Sequence, residues 1–468
     1  MPSRSALTHD RCVPAWAVGL AMLLPGVALA TTLEETVSLA LQTNPEVGVV
    51  QADREAIDQE LRQARAQYLP SVDVRAAYGP EFSNSPATRN RDTRPPGGDA
   101  STTLMRAESQ LTLSQMLFDG FATRSEVERQ LARINSAAYR VQEAAEFIGL
   151  DAIEAHLDVL RNQELVELAE QNLAEHRRIL GQVSQLERDG AIGIADVRQT
   201  EARVAAAQTA LATANGNLRD AKAMYIRVVG IQPEDLDDPV PPRYALPESA
   251  EAAAADAAVS SPTVQIASAD IGAAEAELTG SRSGYYPRVD LELGTSANNN
   301  LDGIRGGNVD AQALLVLRYN LFRGGGDIAR EREAFARIGE ARQQLLVARR
   351  AASEDARIGY NALITALERV EALRAAAVAQ RATRDAYAQQ FDLGQRSLLD
   401  LLDAENELFI ARSNLVTAEY TATFAVYRVL AVTGDLLPTL DIDRPKQSIN
   451  IYRERQEPLR EVVPGTDR

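Results

Sequence analysis

Cysteine is nearly missing from this 468-residue chain: Cys12 stands alone, ahead of an apolar run, and aromatic residues reach only 5%. One thiol allows neither an internal disulfide nor a thiolate metal site. Positive charge is also in deficit, with 49 basic against 66 acidic residues and a formal net charge of −17, which argues against a nucleic-acid partner. Beyond residue 30 no stretch approaches 18 uninterrupted apolar residues, so a helical membrane protein is not expected. Histidine occurs three times, at His9, His156 and His176. The last two lack metal-ligand spacing and are expected to be solvated surface groups. The glycine trio 324–326 has no phosphate-loop lysine and reads as a tight turn. Neither a nucleophile elbow nor a zincin motif occurs, so no enzyme, cofactor or structural metal is expected.

What is present begins with an export signal. Arg4 and Arg11 precede an apolar run from Ala15 to Ala30 that ends in Ala28-Leu29-Ala30. The run is too short for a spanning helix and Pro25 interrupts it, which predicts a signal peptide over 1–30 and a mature start near Thr31. Cys12 leaves with that segment, so it cannot carry a lipid anchor.

The remainder repeats itself. "YLPSVDV" at 68–74 answers "YYPRVDL" at 285–291, and Asn44-Pro45 answers Ser261-Pro262 at the same offset of 217. "LFDG" at 117–120 answers "LFRG" at 321–324, and Gly190, Asp196 and Gly230 answer Gly394, Asp400 and Gly434, all at an offset of 204. Several anchors at constant offset indicate an internal duplication. The predicted organisation is repeat 1 over 31–230, a Pro-rich acidic linker over 231–260, repeat 2 over 261–437 and a polar C-terminal tail over 438–468. Each repeat reads as a helix, two strands and a long helical hairpin.

Asn44 reads as an N-cap with Pro45 at the first helical position, and the helix should stop before Pro70. Alternating residues predict strands at about 70–82 and 103–118, then at about 287–297 and 310–322. Val127, Leu131, Ile134, Ala138, Val141, Ala145, Ile148 and Ala152 step four and three, a heptad seam. A helix from about 121 to 188 would be roughly 100 Å long. Its hairpin tip falls near 190, and that of repeat 2 near 394. The fold class is mainly α with a small β part. Four strands cannot close a barrel, and open edges cannot exist in lipid. Membrane barrels begin at about eight strands. Three chains would supply twelve strands above a barrel of coiled-coil helices, a hollow tube with a cyclic axis.

The paired strand starts, the "LFDG"/"LFRG" strand ends and two hairpin tips together resemble the TolC family of trimeric outer-membrane exit ducts, to about residue 437. The tips are "RDGAIGIADVRQTEARVAAAQ" at 188–208 and "FDLGQRSLLDLLDAENELFIAR" at 391–412. The resemblance implies a passive homotrimeric channel-tunnel in the outer membrane of a Gram-negative bacterium, with its helices in the periplasm. It implies as partners a periplasmic adaptor (membrane fusion) protein, an inner-membrane ABC or proton-driven transporter, and outer-membrane lipid.

The same resemblance assigns residues. Asp400 and Asp403 match the periplasmic gate, where a trimer would stack them as acidic rings open to cation block. Arg396 and Asp196 match a polar link that ties the tip shut. Phe391 and Ala195 stand where the family carries tyrosine and threonine, so two hydroxyl links are missing and a looser closed state is expected. Gly190 and Gly394 mark the tips where adaptor hairpins would dock. The "LFDGFATRSEVER" strand exit and the absence of a lipid-anchor cysteine favour type I protein secretion over multidrug or solute efflux. A non-membrane periplasmic coiled-coil structural or adaptor protein would explain the heptads but leave both strand pairs unexplained.

Overall fold

The computed structural model describes residues 31–84, 88 and 101–450. The expected signal peptide and the end of the C-terminal tail lie outside the described residues, as does most of the loop between the first two strands.

Helix α1 (Leu33–Thr43) opens with a capping box between Thr32 and Glu35. Asn44 ends it and caps α2 (Pro45–Ala66), its Oδ1 accepting from the Glu46 N–H at 2.9 Å. Strands β1 (Ser71–Ser83) and β2 (Thr102–Phe118) follow, then α3 (Ala122–Arg188) and α4 (Ile194–Val229). Repeat 2 supplies α5 (Ala250–Ser260), α6 (Pro262–Ser281), β3 (Arg288–Asn299), β4 (Gly307–Arg318), α7 (Gly326–Asp392), α8 (Leu398–Thr433) and the short α9 (Leu436–Thr439). Both boundaries of α3 and of α4 recur 204 residues later in α7 and α8. At 1.5 Å per residue, α3 and α7 each extend roughly 100 Å.

Two boundaries differ from the sequence expectation. The linker over 231–260 contains α5, whose first turn is capped by Ser249 Oγ accepting from the Ala252 N–H at 3.1 Å. It lies 217 residues after α1 and is its counterpart. Ala253 and Ala257 pack with Val264, Leu345, Ala352 and Ala356, so small residues bring α5 close to α6 and α7. The strand expected at 310–322 lies at Gly307–Arg318 instead. The Asn300 N–H donates to the Gly306 carbonyl at 2.9 Å and closes the hairpin early. Beyond Arg318 the Asn320 side chain takes the Phe322 N–H, and Gly324 and Gly325 turn into α7 with positive φ.

The four strands form one antiparallel sheet in the order β1-β2-β3-β4, so the β2–β3 pair joins the two repeats. The main apolar core lies below it, where α1, α3, α4, α8 and α9 meet. Val37, Ala152, Ile153, Tyr225, Tyr427, Leu436 and Leu437 fill it. Helix α8 is long and apolar enough to cross a membrane, yet half of its apolar stretch is buried within the bundle. The tail from 438 is not merely polar. Leu440 is buried, and Arg444 donates to the Gly434 carbonyl at 2.8 Å and approaches Glu146 at 3.4 Å.

Both histidines expected on the surface are buried, His156 at 0% and His176 at 3% exposure. They face inward because α3 is covered on several sides. His156 lies 2.9 Å from Thr36 Oγ1 and 2.9 Å from the Asp237 carbonyl, and so ties α3 to α1 and to the linker.

The exit from β2 into α3 depends on backbone that only glycine adopts freely. Gly120 has φ +68°, and a Cβ there would stand 2.6 Å from the Ser283 carbonyl oxygen. Gly190 at the tip has φ +74° with nothing within 4 Å. Gly120→Ala should therefore cost more than Gly190→Ala, roughly 2–3 against about 1 kcal/mol. Thermal unfolding followed by circular dichroism measures this, and equal costs would contradict it.

Candidate functional site: a two-faced sheet and a charged helical tip

Directly opposed residues of an antiparallel ladder share a face, so register sorts the sheet into two surfaces. On one face, Val74 pairs with Leu111, Leu113 with Leu293, and Leu291 with Leu315. Val72, Tyr78, Phe82, Val309 and Leu317 continue this surface, which is apolar and exposed; Val74 is 76% and Leu315 69% exposed. The opposite face carries Asp73, Arg75, Glu108, Asp290, Glu292, Asp310 and Arg318 at alternate positions. There Arg318 bridges Asp290 at 2.8 Å and Glu292 at 2.7 Å, and Arg106 pairs with Glu108 and, at 3.5 Å, with Glu81. Among the described residues, neither β1 nor β4 has a second partner strand.

At the far end of the long helices, α3 turns into α4 around Gly190 and α7 into α8 around Gly394, both with positive φ. A small apolar cluster welds the two hairpins: Ile179, Val183, Val197, Leu398, Leu401 and Leu402. Phe391 packs against it, so an apolar contact stands at the position where a hydroxyl link was expected to be missing. Ser397 caps α8 by accepting from the Asp400 N–H at 3.2 Å, which sets Asp400 in the first turn, at the positive end of the helix.

Each gate residue read from the sequence has a definite neighbour in the chain. Arg396 stacks over the Tyr387 ring at 3.8 Å and reaches Asp400 at 3.6 Å. Asp196 accepts from the Gly193 N–H at 3.2 Å and so caps α4. Within one chain, then, Arg396 serves Asp400 and Asp196 serves its own helix. Asp403 is held at 2.6 Å by Arg203, which comes from α4 in the other repeat.

In the sequence Arg203 is one more charge in an alanine-rich turn, and nothing local marks its partner 200 positions away. A second group escapes the sequence altogether. Glu405 is 5% exposed and pairs with Arg384 of α7 at 3.2 Å. Arg384 also approaches Glu175 of α3 at 3.9 Å and pairs with Asp385, while Arg178 holds Glu175 at 2.6 Å. Three carboxylates, those of Glu405, Glu175 and Asp385, thus surround one guanidinium between the hairpins. Burial pushes the Glu405 carboxyl up to about 7, against the opposing pull of Arg384. Glu146, buried beneath Arg444, is raised to about 7 for the same reason.

These carboxyls keep their protons up to about pH 7 when folded, but only to about 4.5 when unfolded. Their contribution to stability is full below pH 4.5 and is lost as the pH rises through 7. His156 and His176, whose imidazoles burial holds low, act in the opposite sense on the acid side. Glu405→Gln isolates one carboxyl: its melting temperature should fall less than that of the parent between pH 5 and pH 8. Parallel pH profiles for the two proteins would refute the assignment.

The outer membrane efflux protein family model matches residues 36–230 and 253–435. The chain is 26% identical over 425 residues to the outer membrane efflux protein BepC of Brucella suis, covering 89% of this chain and 90% of that one. It is 25% identical over 413 residues to the proteases secretion protein PrtF of Dickeya chrysanthemi, covering 84% and 86%. The solved structure of the outer membrane protein VceC from Vibrio cholerae superposes with a TM-score of 0.70 at 18% identity, covering 86% of this chain and 96% of that one. The paired strands, equal hairpins and double family match leave one conclusion: the chain belongs to the outer membrane efflux protein family, the TolC-like group that its motifs resemble.

Proposed function

We propose that the chain is the outer-membrane exit duct of a tripartite export system, assembled as a homotrimer and serving type I protein secretion. One observation carries the reading: a sheet with an apolar face, a charged face and two free edges. In lipid the apolar face is satisfied, but each free edge would leave a row of backbone groups without hydrogen bonds. Three copies joined β4 to β1 close a twelve-stranded wall, with the apolar face to lipid and the charged face to a water-filled lumen. The helical hairpins continue the passage into the periplasm. A passive duct has no energy source, so an inner-membrane ABC transporter and a periplasmic adaptor supply the drive. The adaptor docks near Gly190 and Gly394, and the tip bearing Asp400, Asp403, Arg396, Asp196 and Phe391 forms the gate.

The secretion branch is favoured by the likeness to PrtF, whose name records protease secretion. BepC, at similar identity and named for efflux, supports the second reading, a multidrug or solute pump outlet. Deleting the gene separates them. Secretion predicts the loss of discrete proteins from the medium with unchanged resistance to dyes and detergents; the reverse pattern assigns efflux.

The membrane placement has its own test. Arginine on the lipid face costs roughly 2–4 kcal/mol near mid-membrane, whereas lumen positions tolerate charge. Leu293→Arg should reduce outer-membrane trimer at least about tenfold, while Gln312→Arg, on the other face, should assemble normally. Heat-modifiable migration of membrane extracts reads both. Equal assembly of the two variants would overturn the assignment of faces.

A further inference from the structure

The acidic tip is not left uncompensated. Asp403 Oδ1 lies 2.6 Å from Arg203 Nη2, closer than any other ion pair at the tip that joins one hairpin to the other. Arg203 sits on α4 and Asp403 on α8, so the pair crosses from repeat 1 to repeat 2 within one chain. On α3, His176 is buried near this pair with its Nδ1 lacking a partner. Its imidazole is held low by burial and then by Arg203, which leaves Arg203 as the cation at this point. Neighbouring Arg198 is already engaged with Glu201 at 2.8 Å. Asp400 has its own arginine, but more loosely, at 3.6 Å through Nε of Arg396.

A pair formed inside one chain is repeated by whatever symmetry assembles the chains. Any cyclic arrangement that sets Asp403 around an axis therefore sets an Arg203 beside each copy. The field at the constriction depends on the sum of these charges, and a counter-charge at contact distance removes most of what each aspartate contributes beyond a few ångströms. We propose that Arg203 is the fixed counter-ion of the periplasmic tip, cancelling Asp403 and thereby setting how strongly the constriction attracts and holds cations. The inference rests on the proposed gate. Counting aspartates alone would assign this tip a strong affinity for multivalent cations; counting the paired arginines assigns it a weak one.

The test uses the purified full-length protein in bilayers of neutral phosphatidylcholine, with La³⁺ added on the periplasmic side. Half-blocking La³⁺ concentration and the reversal potential in a KCl gradient are the two readings. Arg203→Gln should lower the half-blocking concentration by about tenfold, since three modest pair energies act together on one bound ion. It should also shift the reversal potential toward cation selectivity. Arg203→Lys, which keeps the charge, should behave like the parent. Adding Asp403→Asn to Arg203→Gln should return both readings to parental values, which a merely loosened tip would not do. Unchanged block and selectivity in Arg203→Gln overturn the counter-ion assignment alone, provided the Asp400→Asn/Asp403→Asn double variant does alter them. If that double variant also changes nothing, the gate reading falls and takes this inference with it.

Discussion

Among the described residues, the outer edges of β1 and β4 carry backbone N–H and C=O groups that no further strand pairs with, and that constraint organises the proposed assembly. Main-chain polar groups that find no partner are among the costliest things to bury. A sheet whose one face is built of Val74, Leu111, Leu293 and Leu315 cannot sit comfortably in water on that face either. The proposed assembly, a curved and closed wall set in lipid, meets both demands at once. In the proposed homotrimer, closure comes from sibling chains set around an axis, which makes the wall hollow. The repeat matters for the same reason. Two copies of one strand pair, joined through β2 and β3, give a sheet whose ends are related in design, which suits the β4-to-β1 joint of the proposed trimer.

The helices obey a related constraint. A rod of 67 residues cannot be stabilised by its own propensity; it needs neighbours along its whole length. Helix α3 finds them inside the chain, packing on α2, α4, α6 and α8, with alanines at 137, 138, 145, 152 and 155 allowing close approach. Helix α7, its equal in length, leaves Phe335, Val347, Ile358 and Val378 exposed. One copy of the design is thus enclosed while the other keeps apolar side chains open at intervals along its length. That asymmetry is what a stave in a ring would show: one side turned to its own chain, the other to the next.

The sequence disclosed the features that punctuate the chain and concealed those that depend on distant partners. Asn44-Pro45, Pro70, the "LFDG" exit and the two tip glycines were readable because proline restricts the backbone locally and glycine permits conformations that other residues avoid. The duplication was readable because such residues recur at fixed offsets. Helix α5 was hidden because "AEAAAADAAVS" has no contrast between faces, so nothing marks its period. The burial of His156, His176 and Glu405 was hidden for a different reason. A helix covered on several sides has no solvent face, and a polar residue on it carries no sign of where it points. The Arg203–Asp403 pair spans 200 positions and both repeats, a distance over which local pattern is silent.

The tip combines apolar packing with paired charge in unequal shares. Exposed ion pairs contribute little each, between about 0.2 and 1 kcal/mol, whereas burying a leucine or isoleucine contributes about 1.5–3. The hairpins are therefore held together mainly by Ile179, Val183, Leu401 and Leu402, with the charged pairs adding direction rather than strength. A junction made of one small apolar cluster and several weak pairs separates at moderate cost and re-forms in one register. A broad apolar interface would stay shut, and a purely charged one would drift. If this end is the gate, its composition suits that role, being weak enough to part when a partner pulls and specific enough to close again on the same contacts.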